Sequence, residues 1–110
     1  MVMDKDTEAK IQQLQMFEQT MQNVLMQKQT VQAQQIEIDN ALSELTEAKG
    51  EVFKIIGPVM VQSDKTKIQA DLNSKKEVVE LKLKNIEKQE SQLKEKSSKL
   101  QAEVMEKMQA

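Results

Sequence analysis

Helix-breaking residues are confined to one short region of this chain, and their absence elsewhere most strongly limits the folds open to it. Pro58 is the only proline, and the only two glycines, Gly50 and Gly57, come shortly before it. Proline and glycine are the residues least favourable in a helix interior. The stretches on either side of residues 50–58 contain neither, so each can form one uninterrupted helix. We therefore predict a single domain of residues 1–110, with helices at 7–49 and 64–108 around a segment at 51–62.

Apolar residues recur along both helical stretches at the spacing of a coiled coil. In the first stretch the seam positions are 14, 17, 21, 24, 28, 31, 35, 38, 42 and 45, and all but Lys28 and Gln35 are apolar. A weaker seam in the second stretch repeats every seven residues, at Leu72, Val79, Ile86, Leu93 and Leu100, and Val104 continues it one turn on. Its companion positions are mixed, at Lys76, Leu83, Glu90 and Ser97. A sustained repeat of this kind indicates a coiled coil, and a short connection folds two such helices into an antiparallel pair.

The antiparallel pairing also predicts a register. A midpoint near Gly57 brings Met21 near Leu93 and Leu42 near Leu72, each to within about one helical turn. The same register brings the two polar seam residues near apolar ones, Lys28 near Ile86 and Gln35 near Val79. Polar seam residues can fix the register at some cost in stability, or the seam can simply be thin and partly hydrated. The sequence leaves both interpretations open.

Three apolar residues of the first helix fall outside its seam. They are Leu25, Met26 and Ile36. Because the second helix is the less apolar of the two, we interpret these residues as a broadened seam that covers it.

The segment between the helices is predicted to be a β-hairpin. Its runs EVFKII and VMVQ are rich in β-branched residues and are separated only by Gly57 and Pro58. A two-residue hairpin turn of type II′ takes glycine first, which pairs Ile56 with Val59 and leaves apolar side chains on both faces. Since an isolated hairpin is marginal in water, we expect this one to pair with other chains. The predicted oligomerisation residues are Val52, Phe53, Ile55, Ile56, Val59, Met60 and Val61.

The composition argues against several classes of function. The chain has no cysteine or histidine, and all 16 of its basic residues are lysines against 18 acidic ones, which is not the basic face of a nucleic-acid-binding protein. The longest apolar run, IIGPVMV, is far shorter than the ~20 residues of a membrane span. No phosphate-binding glycine loop occurs. We expect a soluble cytoplasmic protein that is not an enzyme and has no cofactor or metal site.

Three stretches carry a resemblance to a known family. They are QKQTVQAQ in the first helix, EVFKIIGPVMV at the hairpin, and the SDK whose aspartate opens a helix running into LKLKNIEKQESQLKEK. With the order helix, one hairpin, helix, the whole chain resembles a β-class prefoldin subunit of archaeal type or a close paralogue. The absence of arginine and the eight methionines depart from the family pattern. They leave open a divergent paralogue that assembles differently.

The resemblance implies a fold, a function and partners. The fold class is mainly α, a long antiparallel two-helix coiled coil joined by a single β-hairpin that takes part in an intersubunit β-barrel. The function is that of a molecular chaperone, an ATP-independent holdase whose coiled-coil tips capture unfolded proteins. The partners are a prefoldin α-class subunit in a hetero-hexamer, unfolded client proteins and a group II chaperonin that receives them, with no nucleic acid and no membrane.

Antiparallel helices bring both chain ends to the tips, where the resemblance implies client binding. The candidate client-binding residues are Ile11, Leu14, Met16, Phe17, Leu100, Val104, Met105 and Met108. Met1 and Met3 can add to this set without fixed geometry.

Two kinds of residue make up this set. The members on or near the seam are Leu14, Phe17, Leu100 and Val104. Ordinary packing explains these better while the coil is closed. Met16, Met105 and Met108 lie off the seam, as Ile11 does in part, and methionine suits adaptable, promiscuous surfaces. For these four residues client contact is the favoured interpretation.

Two alternatives remain open from the sequence. A structural or scaffolding coiled coil without client-holding activity accounts for the helices, but it does not account for a hairpin that is apolar on both faces. A dedicated helical chaperone for one client predicts no strands at all.

Overall fold

The chain is two long helices joined by a β-hairpin. The structure, a computed structural model, describes residues 4–109, so Met1 and Met3 lie outside the described residues. In order, the elements are α1 (Lys5–Glu47), β1 (Val52–Ile56), β2 (Val59–Ser63) and α2 (Lys65–Gln109). The fold is therefore mainly helical, with 43 residues in α1 and 45 in α2.

Helix α1 begins and ends two residues earlier than the sequence indicated, and local hydrogen bonds explain both differences. The backbone N–H of Thr7 donates to Asp4 Oδ1 at 2.7 Å, which makes Asp4 the N-cap. At the other end, the N–H of Ala48 donates to the carbonyl of Leu45 at 3.2 Å, which tightens the last turn. Gly50 then takes a φ of 101°, a conformation that only glycine adopts readily.

The hairpin has the predicted register throughout. The ladder is antiparallel, and its pairs are Val52 with Ser63, Phe53 with Gln62, Lys54 with Val61, Ile55 with Met60 and Ile56 with Val59. Gly57 has a φ of 58°, and no non-glycine residue among those described has a positive φ. Since Pro58 therefore has a negative φ, the turn is of type II′, as predicted from the Gly-Pro pair.

Helix α2 begins at Lys65 and ends at Gln109, each one residue later than predicted. The N–H of Thr66 donates to Asp64 Oδ1 at 3.1 Å, and the N–H of Ile68 donates to the Asp64 carbonyl at 3.0 Å. Asp64 is therefore the N-cap, and it is the single residue between β2 and α2.

The helices and hairpin contribute to two compact units. The hairpin unit comprises residues 30–83, and the terminal unit comprises the described residues of 1–29 and 84–110. The most buried apolar residues of the hairpin unit are Val31, Leu45 and Val79, and those of the terminal unit are Val24, Ile86 and Val104. All of these lie on the predicted seams, and every seam position of α1 is at least partly buried.

The interpretation of Leu25, Met26 and Ile36 as a broadened seam is wrong. All three side chains are exposed. Two paired helices bury only a narrow stripe on each helix, so side chains outside that stripe stay largely exposed.

Candidate functional site

The hairpin presents apolar side chains on both faces. Ile56, Val59 and Val61 share one face, interrupted by Lys54, and Phe53, Ile55 and Met60 share the other, as the register requires. The exposed fractions of the apolar members range from 43% at Val61 to 70% at Ile55, whereas Val52 is half-buried. The ladder fixes the face on which each side chain lies, so the hairpin presents a defined apolar surface on both sides.

One hairpin face is partly approached by the helices. Phe53, Ile55 and Met60 line an open groove of about 510 Å³ together with residues from the neighbouring helix ends, among them Leu45 and Leu72. The groove is open, and all three strand residues remain exposed. The helix ends therefore support this face without covering it.

A set of polar contacts surrounds the base of the hairpin. Lys54 of β1 forms an ion pair with Asp71 of α2 at 3.8 Å. Lys65, the first residue of α2, donates from Nζ to the carbonyls of Thr46 at 3.2 Å and Ala48 at 3.3 Å. These contacts join the end of α1, the first strand and the start of α2 within the hairpin unit.

The candidate client-binding residues divide as their heptad positions indicate, except Ile11, which was grouped with the off-seam residues and is partly buried. Val104 is buried, and Ile11, Leu14, Phe17 and Leu100 are partly buried. The off-seam methionines are exposed, at 66% for Met16, 59% for Met105 and 51% for Met108. All eight residues belong to the terminal unit. Their role in client binding stays a prediction.

An open groove runs beside the seam of the terminal unit. Its volume is about 590 Å³, and Leu14, Phe17 and Met21 of α1 line it with Leu93 and Ser97 of α2. That Met21 and Leu93 share a groove agrees with the predicted register. Serine is too small to fill a seam position opposite aromatic and aliphatic side chains, so the packing here is incomplete. Seam residues are consequently accessible from one side without the helices separating.

A polar network interrupts the seam of the terminal unit. Lys28 Nζ lies 2.9 Å from Glu90 Oε2, and Lys94 lies 3.2 Å from Glu90 Oε1. The Glu90 side chain is only 13% exposed. The hydrogen bonds from Lys28 and Lys94 lower the pKa of Glu90, and the hydrogen bond to Glu90 raises the pKa of Lys28. Lys28 thus meets a charged partner one turn beyond Ile86, its expected neighbour, which favours the register-fixing interpretation.

Exposed ion pairs join the helix ends within the terminal unit. Lys10 lies 3.4 Å from Glu103, and Lys107 lies 3.5 Å from Asp4. Exposed pairs of this kind are worth only about 0.2–1 kcal/mol each. They therefore contribute little to holding the paired ends together.

Two exposed apolar residues of α2 were not singled out from the sequence. They are Val78 and Leu81, both in the hairpin unit. The available signal was that both residues lie off the seam of the more charged helix. Val78 borders a shallow groove of about 460 Å³ with Ile38, between Lys75 and Lys82.

The described part of the chain contains neither a helix able to span a membrane nor a candidate metal site. Neither helix has a stretch long and apolar enough to cross a membrane, as far as residues 4–109 show. Within the same residues, no group of three or more acidic side chains is arranged to hold a metal ion.

Comparison with known proteins gives the same result by sequence and by structure. The family model of the prefoldin subunit matches residues 8–110. Prefoldin subunit beta of Saccharolobus islandicus is 33% identical over 103 residues, which cover 92% of this chain and 82% of that protein. Prefoldin subunit beta of Thermococcus kodakarensis is 35% identical over 99 residues, covering 88% and 85%.

The structural comparison extends over nearly all of both chains. The crystal structure of the prefoldin beta subunit from Thermococcus strain KS-1 superimposes with a TM-score of 0.91 at 33% identity, covering 96% of this chain and 94% of that one. Both chains therefore share the helix, hairpin, helix order, and the sequence match extends through both helices and the hairpin. On these grounds the chain belongs to the prefoldin subunit family, where the relatives it matches are β subunits.

Proposed function

We propose that this chain is a subunit of an ATP-independent holdase, which assembles through its hairpin and captures unfolded proteins at the free ends of its helices. The observation that carries the proposal is the division of the exposed apolar side chains. One group lies on both faces of the hairpin, and another lies near the ends of the helices in the terminal unit. Membership of a chaperone family supports the same function.

The hairpin is the proposed assembly element. Strands β1 and β2 form a two-stranded sheet, so each strand has one unpaired edge. Unpaired edges and apolar faces are what a strand from another chain can complete. We propose that hairpins from several subunits close into an intersubunit β-barrel, in a hetero-hexamer with α-class subunits.

The exposed methionines are the proposed client contacts. An unfolded protein offers apolar side chains in no fixed arrangement, and methionine is flexible enough to contact many of them. Met16, Met105 and Met108 provide this surface, and the groove at Phe17 adds a recess beside it. The partly buried members of the candidate set, Ile11 among them, take part through their exposed edges.

The remaining partners follow from the same proposal. Holding by apolar contact consumes no nucleotide, and the chain has no phosphate-binding loop with which to bind one. We propose that the captured client passes to a group II chaperonin in the cytoplasm. No enzymatic step is part of this function.

A scaffolding coiled coil is the alternative function. It shares the helices, and its binding would be specific to one partner. The two functions differ in what the exposed methionines do, so an experiment on those residues separates them.

The test replaces the three exposed methionines with glutamine, a side chain of similar length. The full chain carrying Met16→Gln, Met105→Gln and Met108→Gln is assembled with a prefoldin α subunit and mixed with a chemically unfolded client. We expect the oligomer to form normally and to lose most of its suppression of client aggregation, as measured by light scattering beside size-exclusion chromatography. Adding ATP and magnesium should change neither result.

A matched control uses exposed apolar residues of the hairpin unit. Ile36→Gln, Val78→Gln and Leu81→Gln remove the same number of exposed apolar side chains outside the strands. This variant should hold clients as well as the parent does. Full suppression by the methionine variant would move the client site elsewhere, and an assembled parent that suppresses no aggregation would favour the scaffold.

A further inference from the structure

Lys65 occupies a position that is electrostatically unfavourable for its own helix. It is the first residue of α2, and the first turn of α2 contains no acidic residue. The amino end of a helix carries a partial positive charge, so cations there are disfavoured and anions are preferred. A lysine at the amino end of a helix therefore calls for a compensating interaction elsewhere.

The compensation lies at the end of α1. The last turn of α1 contains no basic residue, although the carbonyl end of a helix favours cations. Lys65 Nζ donates to the carbonyls of Thr46 at 3.2 Å and Ala48 at 3.3 Å, at the point where α1 ends. These carbonyls belong to the group that a helix end leaves without intrahelical partners. Lys65 of α2 therefore caps the C-terminus of α1.

The two connections to the hairpin differ in length, which gives this cap a consequence. On one side β2 is joined to α2 by Asp64 alone, and Asp64 is itself held as the N-cap. On the other side residues 48–51 separate α1 from β1, with Gly50 at a φ of 101°. The Lys65 contact spans the start of the longer connection, since Ala48 is its first residue.

We propose that Lys65 is a positioning residue that joins the end of α1 to the start of α2 and so fixes the direction of the hairpin for assembly. The inference rests on the proposed assembly function of the hairpin. A hairpin held in one direction loses less conformational freedom when it pairs with other subunits, so the joined form assembles more tightly. The Lys54–Asp71 ion pair links β1 to α2 and also helps to fix the direction of the hairpin.

The test removes the donor and keeps the length of the side chain. Lys65→Met is compared with Lys67→Met, a change of equal charge two residues on in the same first turn. We expect Lys65→Met to weaken assembly with a prefoldin α subunit roughly two- to fivefold, the range for one cation at a helix carbonyl end. Lys67→Met should leave assembly unchanged or slightly tighter. The dissociation constant is measured by mass photometry over a dilution series.

Further measurements separate positioning from simple stabilisation. Lys65→Arg keeps a cationic donor and should restore most of the affinity. Circular dichroism at 222 nm should show the same helix content in all variants at the temperature of the assembly measurement. Equal dissociation constants for Lys65→Met and the parent overturn the inference, as does an equal loss in Lys67→Met.

Hydrogen exchange distinguishes failure of this inference from failure of the proposed function. Amide exchange at residues 48–51 should be faster in Lys65→Met than in the parent, whether or not the chains assemble. If the parent does not assemble with the α subunit, the proposed function fails, and this exchange still tests the contact. Unchanged exchange at these amides shows that Lys65 does not order the connection.

Discussion

The hairpin and the helix ends both expose apolar side chains, but they do so in physically different ways. On the hairpin most of the exposed residues are β-branched, lie next to one another and are held by a hydrogen-bonded ladder. Near the helix ends the exposed residues are unbranched methionines, separated by polar residues and free to change rotamer. β-Branched side chains are stiff at the first torsion angle, whereas methionine has three rotatable bonds.

Under the proposed function, this difference lets one chain combine a specific assembly surface with an unspecific client-binding surface. A stiff, contiguous surface matches one complementary surface well, since little conformational freedom is lost when it binds. A flexible, interrupted surface matches many surfaces weakly. The proposed assembly requires a stiff, contiguous surface, and the proposed client capture requires a flexible, interrupted one. The comparison therefore predicts that the two regions respond to substitution independently and to different extents.

The largest expected effect comes from placing charge on both hairpin faces. Ile55 and Val61 lie on opposite faces, so Ile55→Asp with Val61→Asp puts a carboxylate into each of the proposed contacts. Burying a charge without a partner is costly, and at about 2 kcal/mol or more per site assembly should weaken by at least about a thousandfold. Because both side chains are exposed in the single chain, its helix content should change little. Native mass spectrometry and circular dichroism measure the two outcomes.

A matched double substitution in the same unit controls for charge alone. Val78→Asp with Leu81→Asp adds the same two charges at exposed apolar residues of α2, outside the strands. This variant should assemble as the parent does. An Ile55, Val61 variant that still forms the parent's oligomer would show that the hairpin is not the assembly element.

The hairpin could be predicted pair by pair, whereas parts of the helices could not, and the reason is physical. The Gly-Pro turn leaves one sensible register for the strands, and a shift by one residue would exchange the two faces. In the helices, the three-four spacing indicates which residues face inward, but it does not say how far the partner helix extends around them. Ile36 was therefore misinterpreted as partly covered.

The polar seam residues could be predicted in part: their positions on the seam followed from the spacing, but their partners did not. Lys28 and Glu90 each occupy a predicted seam position, but their expected register was accurate only to about one helical turn. A long lysine side chain reaches across such a distance, so its partner depends on rotamers that the spacing does not contain. The same limit applies to Lys65, whose contacts depend on the ends of two helices meeting. The periodicity of either helix alone does not show which residues lie where the two helix ends come together.

A second, intermediate effect concerns the stability of the terminal unit, where the Lys28–Glu90 ion pair joins the two helices. Hydrogen bonds from Lys28 and Lys94 hold the pKa of Glu90 below its usual value. The ionised carboxylate of Glu90 therefore stabilises the folded state. This stabilisation is complete above the pKa of a glutamate in the unfolded chain, about 4.3. It is lost as the pH falls through the lower pKa of the folded state. Glu90→Gln should lower the melting temperature at pH 7. It should also abolish the loss of stability that protonation of Glu90 causes at acidic pH.

The measurement compares melting curves of parent and Glu90→Gln chains between neutral and strongly acidic pH. The two melting temperatures should differ most near neutrality and converge at the acidic end. Asp4 also has a lowered pKa, mainly because it accepts hydrogen bonds from Thr7, but this contribution is common to both chains and cancels in the difference. Glu95→Gln, at an exposed residue of the same helix, serves as the control. A constant difference at all pH values would show that Glu90 contributes by packing and not by its charge.

The smallest expected effect comes from a single methionine, and it tests whether the helix ends act as a shared surface. Full burial of an apolar side chain is worth about 1.5–3 kcal/mol, but a contact with a moving client buries only part of it. Several weak contacts on one assembly raise the effective concentration of the rest, so the loss of one is largely compensated. Met105→Gln alone should therefore reduce aggregation suppression by less than about twofold, far less than the triple substitution. Light scattering across a range of oligomer concentrations measures the ratio. If Met105→Gln alone is as damaging as the triple variant, then Met105 is a defined contact point, and the helix ends resemble the hairpin more than this comparison allows.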